Sequence, residues 1–281
     1  MPDTITPRHL TDANADVLTS FYPVPGLGVV PIHAFLLRSK QPVLVDTGPI
    51  VYREAYLAAL ESLIDLDDIR WIYLTHTDAD HVGCLRDVLA AAPEAKLVTT
   101  FVGLGKLGLH EAVPPERVHL LNPGQRLDIG DRELVAVRPP SFDAPETTGF
   151  VDAKTGALYS ADCFGAVLPD PVESASELPA STLRACMMLW ASIDAPWLSQ
   201  VQPGPFEASL REVRTLAPPL VLSSHLPPAF GMIDTLLSNL DAARSVRPFV
   251  GPDQPALEAL LRGEPAATPA PSHDDSAQPR P

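Results

Sequence analysis

The chain has 281 residues, 46% of them hydrophobic, and a formal net charge of −15. That length supports a full core in one large domain or two small ones, and the acidic balance argues against nucleic acid as a substrate, since phosphate binding needs a basic footprint. There is no apolar run near the ~18 residues of a membrane helix and no apolar core of a secretory signal at the N-terminus; the three cysteines make no disulfide framework, so a cytoplasmic location is expected.

Residues 32–38 and 42–46 read as two short strands, joined as a hairpin by a turn at 38–41. A helix is expected over about 53–63, with Tyr56, Leu57, Leu60 and Leu63 on one face. Strand 71–75 follows, then a helix over 82–92 and a strand over 96–100. Stretches 117–121, 126–128 and 133–137 look like further strands, the last two hinged at Gly130-Asp131, and 156–160 is a strand that leads to Asp162. The Met- and Trp-containing region 181–201 should be helical with an interruption near Pro196, 207–216 a helix, 219–223 a strand and 233–245 a final helix. Strand–helix units and hairpins are mixed, so the sheet should not be purely parallel. A domain over 1–262 is expected, and the Pro-rich stretch 263–281 has little to bury and should be disordered.

The strand at 71–75 runs into Thr75-His-Thr-Asp-Ala-Asp-His-Val-Gly83. Two imidazoles and two carboxylates, His76, Asp78, Asp80 and His81, therefore sit within six residues at a strand exit. Such a turn can aim nitrogen and oxygen donors at one point, and these donors suit divalent transition metals. Helix capping explains one of the carboxylates but not two histidines besides. A pair of ions needs about six or seven protein donors, so more must come from elsewhere. Asp143, Asp162 and His225 are candidates, each following a strand-like run, where open sheets tend to place their sites. Asp46 reads as a support for the cluster loop through hydrogen bonds rather than as a ligand. Cys84 and Cys163 adjoin proposed ligands and admit a redox role, Cys84 in the first turn of a helix where a thiolate is favoured, or simple buried packing. His33, His110 and His119 read as structural or exposed, His9 and His273 as lying in flexible ends, and Met187, Met188 and Trp190 as core packing or a pocket or subunit lining.

Over about residues 20–250 the chain resembles the metallo-β-lactamase superfamily. Leu44-Val-Asp-Thr-Gly48, the 76–81 cluster, Asp162 and His225 fall in the order of its Asp-Thr-Gly strand end, His-x-His-x-Asp-His motif, bridging Asp and late His. The third motif position holds Asp78 where zinc hydrolases of the superfamily have His; an acidic residue there is similar to the flavodiiron and oxygen-binding di-iron branch, which uses Glu. Asp143-Ala-Pro-Glu-Thr147 and Leu158-Tyr-Ser-Ala-Asp-Cys-Phe-Gly165 also look like segments of that branch, with Asp143 in place of its His. The resemblance implies an α+β architecture: an αββα sandwich of two mixed sheets flanked by helices, with metals at one edge. It implies one metal on His76, Asp78 and Asp143, another on Asp80, His81 and His225, and Asp162 between them. Four carboxylates favour iron, with zinc or manganese as alternatives.

The expected function is therefore a dinuclear non-haem di-iron protein that binds or reduces dioxygen or a similar small oxidant. Flavodiiron proteins carry a flavodoxin domain for which this chain has no room, so electrons are expected from a separate partner, unless the protein senses rather than turns over. The relatives also imply a homodimer. The alternative is a metal-dependent hydrolase of a small ester, thioester or lactone, in which two ions polarise the carbonyl.

Overall fold

The computed structural model describes residues 5–110 and 112–262. A first sheet has seven strands in sequence order: β1 (Arg8–Leu10), β2 (Ala15–Val24), β3 (Gly28–Leu37), β4 (Val43–Val45), β5 (Trp71–Tyr73), β6 (Lys96–Thr99) and β7 (Val118–Leu120). The second has six: β8 (Arg126–Asp128), β9 (Glu133–Val137), β10 (Gly149–Asp152), β11 (Leu158–Tyr159), β12 (Leu220–Ser223) and β13 (Leu226–Phe230), again neighbours in sequence order. Pairs β4–β5, β5–β6, β6–β7 and β11–β12 are parallel and the others antiparallel.

Each parallel pair needs a crossover, and helices supply it. These are α1 (Arg53–Glu61), α2 (Ala79–Val82) with α3 (Leu85–Ala91), and α4 (Phe101–Leu107) on the first sheet; α5 (Ala180–Asp194) and α6 (Pro203–Leu216) link β11 to β12, and α7 (Ile233–Ala243) follows β13. Strand alternation sorts the side chains into three apolar layers. In β4, Val43 and Val45 face the second sheet, in a layer with Phe35, Tyr73, Phe150, Tyr159 and Leu222. Leu44 faces the other way, with Ile72 and Leu97 against Tyr56, Leu60, Val88 and Leu107 of the helices. Likewise Val221 points outward, where Leu183, Met187, Phe206, Leu210 and Leu236 form a third layer. The result is the expected αββα sandwich of two mixed sheets.

The structure differs from the sequence expectation in several elements. β1 and β2 were missed; β2 pairs with β3 over ten positions from Ala15↔Leu37 to Val24↔Gly28, although its Pro23 and polar Thr19 and Ser20 blur a strand pattern. The single helix expected over 82–92 is broken between α2 and α3. A Cβ at Gly83 would lie 2.2 Å from the Ile50 backbone nitrogen and 2.6 Å from the Gly48 carbonyl oxygen, so two backbones meet where only glycine fits. α6 begins at Pro203, which suits the first turn of a helix. β10, β13 and α4 were not foreseen.

One compact unit runs through Phe249; a second starts at Val250 and includes α8 (Gln254–Leu261). The disordered tail expected from residue 263 lies outside the described residues. No helix among the described residues is long and apolar enough to cross a membrane.

Candidate metal centre

The ends of β4, β5, β11 and β12 deliver the chemistry. After β4 the backbone turns left-handed at Asp46 (φ 56°). This aims one carboxylate oxygen at the Thr75 backbone N–H (2.8 Å) and the other at the Thr75 hydroxyl (2.8 Å) and His81 Nδ1 (2.9 Å). Thr47 donates to the His81 carbonyl from its N–H (2.7 Å) and its hydroxyl (2.8 Å). The 76–81 turn is thus folded against the neighbouring strand end. Asp78 occupies the N-cap of α2 without making a capping bond, which leaves its carboxylate for the centre.

On the other sheet, Ala161 is also left-handed (φ 52°), a conformation costing roughly 1–2 kcal/mol for a residue with a Cβ. Its carbonyl accepts from Ser224 N–H (2.8 Å) and the Ser223 hydroxyl (3.1 Å), which ties the Asp162 loop to the His225 turn. The Thr148 N–H donates to the Thr75 carbonyl (2.8 Å) and brings the Asp143 loop to the exit of β5.

The seven residues singled out in the sequence converge. Asp162 lies centrally: His81 Nε2 is 3.2 Å from its Oδ1, His225 Nε2 3.3 Å from the same oxygen, and His76 Nε2 3.6 Å from Oδ2. Asp80 Oδ2 is 3.5 Å from His81 Nε2 and 3.4 Å from His225 Nε2, and Asp143 Oδ1 is 3.9 Å from His76 Nε2. Donor atoms of Asp80, His81 and His225 lie within 4.8 Å of one another, as do those of His76, Asp78 and Asp143. Donors about 2.0–2.2 Å from a common ion are separated by about 3–4 Å, so these spacings fit ions between the side chains.

The tautomers agree with that fit. His225 Nδ1 donates to the Pro31 carbonyl (2.8 Å), His81 Nδ1 to Asp46, and His76 Nδ1 lies 3.1 Å from the Thr75 hydroxyl, whose own proton goes to Asp46. With Nδ1 protonated, each Nε2 presents a lone pair. These three Nε2 atoms and Asp162 Oδ1 are buried and make no hydrogen bond. A buried orphaned acceptor is destabilising unless something fills its demand.

The electrostatics show the same demand. Burial works against ionisation of Asp162, yet the imidazoles of His225, His76 and His81 hold its carboxyl well below the usual range. Burial likewise opposes charge on His225, but Asp162 and Asp80 push it up to about 9, and His81 is raised well above its ordinary value by Asp80, Asp162 and Asp46. Asp80 is lowered by His81 and His225 against the effect of burial. Burial, with help from Asp162 and Asp78, lifts Asp143 to about 6. Protons here stand in for cations, and a metal would displace them.

Two further residues of the centre lie on α5: Trp190, read from sequence as core packing or a pocket or subunit lining, and Asp194, which sequence reasoning missed. Trp190 donates from Nε1 to the Asp162 carbonyl (3.2 Å), and its ring lies 4.4 Å from that of His225. Asp194 lies with Asp143 and Asp162, and burial followed by those two charges pushes it up to about 9. A signal was present: Trp190 and Asp194 are four residues apart and share a helix face. Of the two readings offered for Cys84 and Cys163, burial favours packing over a redox role. Both are buried in apolar layers, Cys84 caps α3 instead of lying in its first turn, and burial pushes both thiols up to about 12. His33 is buried against Thr19, His9 pairs with Asp16, His119 packs on Trp71, and His110 is exposed; His273 lies outside the described residues.

Comparison with known proteins gives a consistent picture. The profile described as ODP family beta lactamase matches residues 30–190, more than half of the chain. A diflavin flavoprotein A 1 of Synechocystis sp. is 33% identical over 134 residues, covering 47% of this chain and 23% of that protein. The anaerobic nitric oxide reductase flavorubredoxin of Salmonella typhi is 28% identical over 173 residues, 61% of this chain and 36% of that protein. The chain thus matches about a quarter to a third of the length of these relatives. Among solved structures, the rubredoxin oxygen:oxidoreductase of Desulfovibrio gigas superposes with a TM-score of 0.73 at 19% identity, covering 84% of this chain and 61% of that one, a likeness of fold.

Proposed function

This chain belongs to the ODP beta-lactamase family, and from that premise we propose that it is a non-haem di-iron protein that binds or reduces dioxygen, nitric oxide or a similar small oxidant. One ion is held by His76, Asp78 and Asp143 and the other by Asp80, His81 and His225, with Asp162 shared. Residues 1–262 form the metal-binding domain of a cytoplasmic homodimer, and electrons come from a separate protein. The observation that supports this most directly is the set of three buried Nε2 atoms and Asp162 Oδ1, which face one another without hydrogen bonds. The relatives named as a nitric oxide reductase and as an oxygen:oxidoreductase support the substrate class.

Two ferrous ions, when bound at these residues, would supply the electrons for a small ligand. The chain's residues do the rest. Asp46 and the Pro31 carbonyl keep His81 and His225 in the tautomer whose Nε2 can bind. The carboxylates of Asp78, Asp80, Asp143 and Asp162 balance the charge of two divalent ions and favour hard metals over zinc. Trp190 covers His225 and closes one side of the centre against water.

The test is purification without oxygen, metal analysis, and an optical spectrum on admitting air. Two irons per chain, absorption in the near-ultraviolet on oxidation, and oxidant consumption with an artificial electron donor are expected. A colourless zinc protein that hydrolyses esters would replace this reading with the metallo-hydrolase. Light scattering that gives the monomer mass would remove the homodimer.

A further inference from the structure

Asp194 is a carboxylate at this centre that belongs to none of the sequence motifs. As the last residue of α5 it sits where the helix dipole disfavours negative charge. Its carboxylate oxygen, with those of Asp143 and Asp162, forms a group within 4.8 Å. The opposite charges that face these three carboxylates come from imidazoles, His76, His81 and His225. Nothing in this placement helps the fold: like charges are gathered at the wrong end of a helix. Residues that violate local rules without structural gain are candidates for function.

The helix is nonetheless held firmly in this position. One turn before Asp194, Trp190 is hydrogen-bonded to the Asp162 carbonyl and packed at a tilt against the His225 ring. Its indole fills the space above Gly165, where a Cβ would come within 2.4 Å of Nε1. α5 is therefore docked on two ligand loops at once, and Asp194, four residues on, falls on the same face. The buried Nε2 of His76 makes no hydrogen bond and faces two carboxylates of this group, Asp162 Oδ2 at 3.6 Å and Asp143 Oδ1 at 3.9 Å. Asp194 groups with Asp143 and Asp162, and Asp143 in turn groups with His76 and Asp78.

We propose that Asp194 is a ligand of the ion held by His76, Asp78 and Asp143, contributing from α5 a donor that completes the set. The assignment rests on the dinuclear reading above. With shared Asp162 the other four residues give that ion four donors, and hard divalent metals take up to about six; Asp194 is the fifth. Three or four carboxylates around one imidazole would make this position harder and more anionic than its neighbour.

The alternative is a protonated Asp194 that only hydrogen-bonds to Asp143. Asp194→Asn separates the two, because the amide keeps the shape and hydrogen-bonding capacity but loses the anionic oxygen. The full-length chain is loaded with ferrous iron under argon, iron per chain is measured after gel filtration, and affinity is measured by chelator competition. Cobalt(II) loading reports coordination through its visible bands. We expect two ions in the parent chain. In Asp194→Asn one ion should bind normally and the other about tenfold or more weakly, with altered cobalt bands; Asp194→Glu should recover part of the affinity. Two ions at parental affinity with an unchanged cobalt spectrum in Asp194→Asn overturn the ligand role and leave the dinuclear reading standing. If Asp194→Asn does not fold, Asp194→Glu decides: a shifted cobalt spectrum supports ligation and an identical one overturns it. Fewer than two ions in the parent chain overturns the dinuclear reading and this inference with it.

Discussion

Asp80, His81 and His225 group on one flank of Asp162, and His76, Asp78 and Asp143 on the other, where the proposed ligand Asp194 would add a third carboxylate. The first flank is braced from behind, His81 by Asp46 and His225 by the Pro31 carbonyl. The second is assembled from the exit of β5, the loop between β9 and β10, and the end of α5, with its acids crowded together. The difference teaches that one centre can offer two unlike positions. The flank rich in imidazole is preorganised for a borderline metal, whereas the carboxylate flank needs a hard cation to hold it together.

The largest effect should come from the residue common to both. Asp162→Asn is expected to weaken both ions by more than about a hundredfold, beyond the 10–100-fold typical of losing an outer support. Calorimetric titration with manganese or cobalt measures this; retention of one tightly bound ion would show that Asp162 serves a single flank. A smaller, uneven effect is expected for Asp46→Asn, which takes the anionic partner from His81 directly and reaches His76 only through the Thr75 hydroxyl. One ion should bind about 10–100-fold more weakly in chelator competition, and equal loss of both would erase the contrast between flanks.

The smallest effect is on stability. In the metal-free protein Asp194 and His225 are both raised to about 9. Groups whose folded pKa lies above the unfolded value contribute stability that is complete below the unfolded pKa and is lost as pH rises through the folded one. The chelator-treated chain should therefore melt progressively lower between pH 6.5 and 9, by about 2–4 °C per kcal/mol lost. Metal should abolish the decline, because ions replace the protons. Calorimetry at a series of pH values checks this; a melting point that rises with pH in the metal-free chain contradicts it.

Much of the fold was legible because its central strands are short, apolar and β-branched, as in β4, β9 and β12. β2 was not, since its burial comes from pairing with β3 rather than from its own pattern. The 76–81 cluster was legible because six consecutive residues hold four donors. Asp143, Asp162 and His225 could be ordered by resemblance but not placed, and only tertiary structure brings them within 4 Å of the histidines. Asp194 was invisible because no donor lies near it in sequence; a helix brings it to the centre from the opposite side of the chain. The cysteines stayed open between packing and a redox role for the converse reason: adjacency to ligands along the chain says nothing of burial.

The middle layer of the sandwich has a consequence for how this protein matures. Phe35, Tyr73, Phe150 and Tyr159 lock the two sheets together without any contribution from the ligands. In small zinc modules the ion is the core and the empty chain is a coil. Here the newly made polypeptide can reach its final shape first and wait, with His81 and His225 protonated, for cargo. Delivery of metal is then a separate event in the life of the molecule, open to competition from whichever cation the cell presents first.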